Sequence, residues 1–286
     1  MKMQAQFDFE AAPGLPGSDA ISRVHYAVIR SLTRRLWRFT INGVENVPTA
    51  GPALICPNHL SFCDSVFVPA ALPRRCWAIG KAEYMDSWKT RHLFPALGMI
   101  PVDRSGGKRS AAALDAAAEV LDDGRLFMIY PEGTRSRSGN LHKGRTGAAR
   151  LAIRCDAPII PVGLIGTPEI QPPDQFTMSP FKDVTVSFGE PIHAGDFGSP
   201  ADPRIHRTMI DAVMFEIAKL SGQTYVDTYA GKKDDAREEV ASRPMPPDQQ
   251  VSVPPTKPVG RTGGPTRPKG RPAVEFSEAP ELAPGD

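Results

Sequence analysis

Short apolar runs alternate with segments of helical periodicity through most of this sequence, and that alternation limits the folds available to the chain. The runs with the length and residue types of buried strands are residues 39–44, 53–56, 76–80, 126–130, 157–163 and 184–188. Helices are predicted at residues 18–39, 64–72, 110–121, 146–153 and 202–220. Strands that alternate with helices are typical of a sheet covered on both faces. We therefore predict an α/β fold with a mixed, mostly parallel central sheet flanked by helices.

The two ends of the 286-residue chain differ in composition from the part between them. Prolines and glycines cluster at the beginning, which predicts a flexible N-terminus over residues 1–17. After residue 230, apolar residues become sparse, and proline, glycine and charges of both signs dominate. Such a composition buries too little apolar surface to offset the entropy of ordering, so residues 231–286 are predicted to be a disordered tail. Residues 18–230 are predicted to form the folded domain.

The overall charge and the cysteines bear on the functional class. Basic residues number 34 and acidic residues 32, giving a formal charge of +2, so the bulk charge does not indicate nucleic acid as a partner. Cys56, Cys63, Cys76 and Cys155 show no CxxC spacing, which favours reduced, buried thiols in a cytosolic compartment over disulfides or a zinc site. Cys63, close to His59, could be read as a nucleophile, although a small buried hydrophobic residue is the commoner case.

The helix predicted at residues 18–39 has two distinct faces. Its apolar stripe consists of Ile21, Val24, Val28, Leu32, Leu36 and Phe39, and its basic face carries Arg23, Arg30, Arg34 and Arg38. No acidic residue lies between Ile21 and Thr40. The pattern fits a surface helix packed on the core, and it equally fits a helix lying in a membrane interface against anionic headgroups. No stretch reaches the ~20 apolar residues of a membrane span, and the N-terminus lacks a signal-peptide pattern, so we expect a cytoplasmic protein that is not integral to the membrane.

His59 and Asp64 lie on a connection between two apolar runs. Neutral imidazole can accept a proton near pH 7, and a carboxylate at its other ring nitrogen fixes the tautomer. In a regular helix five residues rotate by roughly 140°, so the side chains meet only if His59 lies in the turn before a helix and Asp64 in its first turn. The alternative is a turn histidine and a helix-capping aspartate without catalytic roles. Because no GxSxG nucleophile is present, a functional pair would deprotonate the hydroxyl of a substrate.

A second polar connection, Glu132-Gly133-Thr134-Arg135, follows the strand predicted at residues 126–130. Gly133 lets the backbone approach a ligand, Thr134 offers a hydroxyl, and the guanidinium of Arg135 suits a phosphate. Arg137, Lys143 and Arg145 add positive charge nearby, and a second basic connection begins with Asp103-Arg104 and continues to Lys108. Either basic connection alone is more often a solvated loop. Together with the proton acceptor, the two predict a substrate that carries both a phosphate and a free hydroxyl.

Four sequence blocks in the same order resemble the glycerolipid acyltransferase family, in particular the 1-acylglycerol-3-phosphate acyltransferases. They are residues 58–64, which contain the HxxxxD motif, and residues 98–104, 127–136 and 157–162. Lys81-Ala82-Glu83 and Lys143-Gly144 add to the similarity, which runs from about residue 35 to residue 225. The resemblance identifies the folded domain as an acyltransferase domain with a glycerol-phosphate acyltransferase-like fold and an N-terminal amphipathic helix.

The resemblance also implies a reaction and a set of site residues. His59, held by Asp64, would take the proton from the 2-hydroxyl of lysophosphatidic acid, and the oxygen would attack an acyl thioester of coenzyme A or acyl carrier protein. The phosphate would be bound by Arg135 with Arg104, Glu132, Gly133 and Thr134, and the supporting residues would be Asn58, Lys81 and Lys143. Neither a metal nor a bound cofactor is implied.

The resemblance favours the membrane-facing interpretation of the N-terminal helix, because the family must reach a lipid substrate. We then expect a peripheral protein on the anionic inner face of the cell membrane. Two alternatives remain. The acceptor could be another lyso-lipid or glycerol phosphate, or the protein could bind anionic lipid without catalysing a reaction.

Overall fold

The computed structural model describes residues 20–81, 97–102, 109–172, 175, 177–199, 202 and 204–231. The strands within these residues are β1 (Arg38–Asn42), β2 (Ala53–Pro57), β3 (Cys76–Lys81), β4 (Met99–Val102), β5 (Leu126–Met128), β6 (Leu141–His142), β7 (Ile159–Ile165), β8 (Asp183–Phe188) and β9 (Tyr225–Val226). The α-helices are α1 (Ala20–Leu36), α2 (Asp64–Ala71), α3 (Arg109–Asp122), α4 (Gly147–Arg154), α5 (Thr167–Ile170) and α6 (Ile205–Ser221). Two short 3-10 helices lie at Val44–Asn46 and Ala194–Phe197.

Within the described residues, seven strands form the central sheet in the order β1-β8-β7-β2-β5-β3-β4, and β6 pairs with β9 separately. All neighbouring pairs in the large sheet are parallel except β7 and β8, which are antiparallel. The predicted mixed, mostly parallel sheet flanked by helices is therefore confirmed. The positions of the strands and helices predicted from the alternation agree with the structure to within a few residues.

Apolar side chains cover both faces of the sheet. On one face Phe67 of α2 packs edge-on against Trp37 and Phe39, with ring centroids 5.1 and 5.5 Å apart. On the other face Phe127 of β5 lies among buried residues of α3, α4 and α6. Strand β2 is buried along its whole length, with Ile55 in the first cluster and Leu54 in the second. A continuous apolar run is expected of a parallel strand that is covered on both sides.

The pairing of β2 with β5 brings the two polar connections together. These strands are parallel neighbours, with Ala53 opposite Leu126 and Ile55 opposite Met128. Parallel strands place their carboxyl ends at the same edge of a sheet, so the chain segments that follow β2 and β5 emerge side by side. Both segments that the sequence indicated, one for proton transfer and one for anion binding, lie at this edge.

Helix α1 packs against α2 through its polar side. The hydroxyl of Tyr26 donates to the carbonyl of Pro69, and the guanidinium groups of Arg30 and Arg34 both donate to the carbonyl of Ala70. Arg30 also donates to the carbonyl of Leu72. These carbonyls lie at the C-terminal end of α2, where cations are favoured by the helix dipole. The helix begins at Ala20, two residues after the predicted start, and ends at Leu36, three residues before the predicted end, because the chain enters β1 at residue 38.

The middle of the apolar stripe of α1 consequently faces away from the core. Val24, Val28 and Leu32 are 62%, 58% and 53% exposed, whereas Leu36 and Phe39, at the end of the stripe, pack against the core. Of the two interpretations left open by the sequence, packing on the core is correct for the helix as a whole, but Val24, Val28 and Leu32 take no part in it. Within the described residues, no helix is both long and apolar enough to cross a membrane.

Some predictions differ from the structure or lie outside it. The strand predicted at residues 126–130 ends at Met128. Strand β4 and the two-residue strands β6 and β9 were not predicted. The predicted N-terminal segment, Arg104 and the predicted tail from residue 232 onward lie outside the described residues. Cys56, Cys63 and Cys76 are free and buried, as predicted, and Cys155 is partly exposed.

Candidate active site

The histidine and the aspartate of the HxxxxD motif meet in the way that the spacing required. His59 lies in the turn after β2, and Asp64 is the first residue of α2. The Nδ1 atom of His59 is 2.9 Å from Oδ2 of Asp64. The same carboxylate oxygen accepts hydrogen bonds from the backbone N–H groups of Leu60 and Ser61, each 2.8 Å long. We call residues 58–64 the His59 turn.

This arrangement leaves one ring nitrogen of His59 available for chemistry. The side chain of Asp64 is fully buried, whereas that of His59 is 15% exposed. Since a carboxylate accepts the proton on Nδ1, the Nε2 atom carries the lone pair and can act as a base. The buried carboxylate also stabilises the imidazolium that forms after proton transfer.

Asn58 ties the His59 turn to two distant parts of the chain. Its side-chain amide donates to the carbonyl of Leu164, 3.1 Å away, and to Oε1 of Gln223, 2.7 Å away. Its carbonyl oxygen accepts from the N–H of Leu164 at 2.7 Å. The buried amide thereby fixes the residue next to His59 against β7.

Tyr130 is a site residue that the sequence reasoning did not single out. Its ring stacks on the imidazole of His59, with centroids 3.7 Å apart and planes inclined by 10°. Its hydroxyl is 2.9 Å from Oγ of Ser65 in α2. Burial raises the pKa of Tyr130 well above its usual range, so the hydroxyl stays protonated. The one available signal was an aromatic residue directly before the Pro131-Glu132-Gly133 turn.

Glu132 was expected to help bind the phosphate, but the structure places its carboxyl group elsewhere. The residue is fully buried, and its two carboxylate oxygens accept from the backbone N–H groups of His59, at 3.1 Å, and His142, at 3.0 Å. Burial raises the pKa of this carboxyl to about 7, although both hydrogen bonds act in the opposite direction. A carboxylate in this position cannot reach an exposed phosphate. Its contacts instead hold the segment after β5 against the backbone of His59.

Gly133, Thr134 and Arg135 form an exposed loop next to the His59 turn, and we call these three residues the anion loop. Gly133 has a φ of 78°, a left-handed conformation that favours glycine, and its N–H donates to the carbonyl of Tyr130. The N–H of Ser136 donates to the carbonyl of His59 at 2.8 Å. Glu132 before the loop and Ser136 after it are therefore both bonded to the backbone of His59, so the loop is held beside the imidazole.

Three further cations that the resemblance places in the site are Lys143, Lys81 and Arg104. Lys143 forms an ion pair with Asp227 at 2.8 Å. Lys81 ends β3, the parallel neighbour of β5, so its backbone lies at the same edge of the sheet as the anion loop. Arg104 lies outside the described residues.

Cys63 is not placed as a nucleophile. Its residue is fully buried, and burial together with the nearby Asp64 raises the pKa of the thiol to about 12. The thiol donates to Oγ of Ser61 at 3.3 Å and to the carbonyl of Thr167 at 3.8 Å. The interpretation of Cys63 as a small buried residue is confirmed.

The geometry of this site agrees with the comparisons with known proteins. Residues 38–165 match the family model described as Acyltransferase. This region contains both the His59 turn and the anion loop.

Curated relatives narrow the class further. A chloroplastic 1-acyl-sn-glycerol-3-phosphate acyltransferase of Arabidopsis thaliana is 29% identical over 167 residues, which are 58% of this chain and 46% of the relative. The human 1-acyl-sn-glycerol-3-phosphate acyltransferase alpha is 30% identical over 130 residues, 44% of each chain. The chain is similar to 1-acyl-sn-glycerol-3-phosphate acyltransferases, and it spans about half the length of these curated relatives.

A solved structure supports the fold independently. The crystal structure of the 1-acyl-sn-glycerophosphate acyltransferase PlsC from Thermotoga maritima superposes with a TM-score of 0.56 at 23% identity. The alignment covers 68% of this chain and 79% of that chain. At this level of identity the similarity supports the arrangement of the sheet and helices.

Proposed function

We propose that this protein transfers a fatty acyl group from a thioester donor to the 2-hydroxyl of 1-acylglycerol 3-phosphate and so produces phosphatidic acid. The observation that carries the proposal is the His59–Asp64 pair, 2.9 Å apart, held beside an exposed basic loop. One group can accept a proton from an alcohol while the other binds the phosphate of the same molecule. The names of the relatives point to the same acceptor.

The chemical step needs no nucleophile from the protein. Nε2 of His59 takes the proton from the acceptor hydroxyl as the alcohol oxygen attacks the thioester carbonyl. The new C–O bond forms, the C–S bond breaks, and the proton then passes from His59 to the leaving thiolate. Asp64 stabilises the imidazolium between these two transfers. Positioned acid–base catalysis of this kind supplies about 100- to 10,000-fold in rate.

The phosphate is bound by the anion loop. The guanidinium of Arg135 offers two parallel N–H donors, and Gly133 lets the acceptor approach the backbone. The hydroxyl of Thr134 is a third donor. Arg104, Lys81 and Lys143 remain candidates for further positive charge, although Lys143 already has a carboxylate partner.

The acyl donor is a thioester of coenzyme A or of acyl carrier protein, and it acts as a co-substrate. Neither a resident metal nor a resident cofactor takes part in the proposed step, because the histidine activates the alcohol and the thiolate is itself a good leaving group.

Mutation of His59 tests the reaction directly. The His59→Ala variant should remain folded, by circular dichroism and thermal unfolding, and should lose acyl transfer to 1-acylglycerol 3-phosphate. Full activity in this variant would exclude the mechanism. A panel of acceptors that includes glycerol 3-phosphate and amino-acid-derived lyso-lipids, with products identified by mass spectrometry, tests the acceptor. Thioester release at background level with every acceptor would support lipid binding without catalysis.

We also propose that α1 binds the anionic inner face of the cell membrane, which would make the protein peripheral. Val24, Val28 and Leu32 form an exposed apolar stripe on a helix that carries no acidic residue. Phe181, 63% exposed, extends this surface because its N–H donates to the carbonyl of Leu36 at the end of α1. Apolar side chains beside arginines are typical of helices that lie in the headgroup region.

Vesicle binding tests the membrane surface. Replacing Val24, Val28 and Leu32 together by serine should reduce binding to vesicles that contain anionic lipid, and added salt should weaken binding of the wild-type protein. Phe215→Ser on α6 is the matched control, because Phe215 is 64% exposed on a different helix. Equal binding by all three proteins at every salt concentration would contradict the proposal.

A further inference from the structure

The basic segment after the anion loop contains two cations, and they are partnered differently. The ammonium group of Lys143 is 2.8 Å from Asp227, and the backbone N–H of Lys143 donates to the carbonyl of Thr228. Its charge is therefore already compensated by a carboxylate. Arg145, two residues further on, is exposed and forms no ion pair with any carboxylate in the part of the chain that the structure describes.

The side chain of Arg145 lies directly over the anion loop. A Cβ atom placed on Gly133 would be 2.9 Å from Nε and 3.0 Å from Cδ of Arg145, which is closer than van der Waals contact. The backbone N–H of Arg145 donates to the carbonyl of Pro131 at 2.8 Å, so its main chain is fixed to the turn that begins the loop. Gly133 thus leaves the space in which this side chain crosses the loop.

Tyr229 holds the guanidinium from another direction. The central carbon of the Arg145 guanidinium is 5.0 Å from the centroid of the Tyr229 ring, within the range of a cation–π contact. The segment of residues 225–229 therefore restrains both basic residues, through Asp227 for Lys143 and through Tyr229 for Arg145. An aromatic ring restrains a guanidinium without neutralising its charge, which leaves Arg145 able to bind an anion.

We propose that Arg145, positioned by Tyr229, is a second phosphate ligand and that it makes the site selective for a phosphate monoester. The proposal rests on the proposed function and adds a residue and a specificity to it. A monoester carries up to two negative charges and three free oxygens, so Arg135 and Arg145 can each pair with it. A phosphodiester headgroup carries one charge and has only two free oxygens, so two guanidinium groups bind it less strongly than they bind a monoester.

The first test compares acceptors in steady-state kinetics. For Arg145→Ala we expect kcat/KM with 1-acylglycerol 3-phosphate to fall by about 10- to 100-fold, mainly through KM, as expected for one lost charge-assisted contact. Arg145→Lys should recover part of this loss. Activity with 1-acylglycerol, which lacks the phosphate, should be low and should not change further in Arg145→Ala. The matched control is Arg150→Ala, which removes an exposed arginine from α4.

The second test separates the role of Tyr229 and measures binding without turnover. Tyr229→Ala should raise KM in the same direction as Arg145→Ala, and Tyr229→Phe should raise it less because the ring is kept. Calorimetric titration with 1-acylglycerol 3-phosphate in the absence of donor should show weaker binding to Arg145→Ala than to the wild type. It should show no comparable loss for 1-acylglycerophosphocholine, a phosphodiester.

The outcomes distinguish this proposal from the proposed function. Unchanged KM and unchanged affinity in Arg145→Ala, with active wild-type protein, would overturn the role of Arg145 and leave the acyltransferase assignment intact. An equal loss with monoester and diester acceptors would overturn the selectivity. Wild-type protein that binds 1-acylglycerol 3-phosphate through Arg145 but never acylates it would support the phosphate site and contradict the proposed reaction.

Discussion

In the His59 turn, a single oxygen of Asp64 accepts three hydrogen bonds, and the carboxylate is fully buried. In the anion loop next to it, Thr134 and Arg135 are exposed, and their side chains have no partner among the described residues. The difference is what the two proposed tasks would require. A base must be held in one orientation and tautomer before the substrate arrives, whereas in the proposed reaction the phosphate of the acceptor supplies the partners of the loop.

Asp64→Asn should show the largest effect, because it alters the most highly bonded group of the His59 turn. The amide cannot stabilise an imidazolium, and its NH2 group can favour the wrong tautomer of His59. We expect kcat to fall by about 1,000- to 10,000-fold with little change in KM for the acceptor. Single-turnover kinetics with saturating donor and acceptor measure this change. A loss confined to KM would show that Asp64 belongs functionally with the anion loop.

Glu132 connects the two regions and should make stability depend on pH. Its pKa is about 7 in the folded protein, against 4.5 for the ordinary group. Between these values the native state keeps a proton that the unfolded state has released, so the free energy of unfolding falls as pH rises, by up to about 3 kcal/mol. Urea unfolding from pH 4.5 to 7.5 should show this slope in the wild type. The slope should be smaller in Glu132→Gln, and identical slopes would contradict the burial of a titrating carboxyl.

Arg135→Ala tests the anion loop alone. Because the guanidinium has no partner to lose among the described residues, we expect thermal stability to change little and KM for 1-acylglycerol 3-phosphate to rise by about 10- to 100-fold. Increasing ionic strength should weaken acceptor binding in the wild type more than in the variant. A large fall in the melting temperature would show that Arg135 supports the fold, and the contrast with the His59 turn would then fail.

Tyr130 should show the smallest effect, since it packs on a ring that Asp64 already orients. Tyr130→Leu removes the stacking contact, worth about 0.5–1.5 kcal/mol, so kcat should fall by a few-fold to about ten-fold. Tyr130→Phe keeps the aromatic ring, and Ser65→Ala removes only the hydrogen-bond partner of the Tyr130 hydroxyl. Each of these two variants should therefore reduce kcat less than Tyr130→Leu does. A shifted acidic limb in the pH profile of kcat for Tyr130→Leu would indicate that the ring acts on the proton affinity of His59.

The alternation of apolar runs and helices was sufficient to predict the fold class, because each long element has one dominant period. It did not predict β4, which has four residues including Pro101, or the two-residue strands β6 and β9. A segment this short is not long enough for a periodic pattern to be recognised. The sequence also could not show which face of α1 meets the core. Apolar periodicity predicts that the stripe with Val24 and Val28 meets the core. In the structure, Arg30 and Arg34 instead donate to the carbonyl of Ala70 at the C-terminal end of α2.

The site was predictable where neighbouring residues define it and less so where distant ones do. The spacing of His59 and Asp64 required a turn followed by a helix, and the structure has that geometry. The burial of Glu132 could not be inferred, because its partners are backbone N–H groups of two other segments. Likewise, Lys143 and Arg145 lie two residues apart in the sequence and appear there as equivalent cations. They differ in the structure because residues 225–229 place the Asp227 carboxylate beside Lys143 and the Tyr229 ring beside Arg145.

The hydrogen bond between Asn58 and Gln223 has a consequence for how the protein becomes active during synthesis. The two residues are 165 positions apart in the chain. At about 5–20 residues per second, the ribosome reaches Gln223 roughly 8–33 s after Asn58. The His59 turn is thus made early but receives one of its restraints near the C-terminal end of the described residues. A nascent chain would then carry His59 for many seconds before the residue next to it is fully held in place.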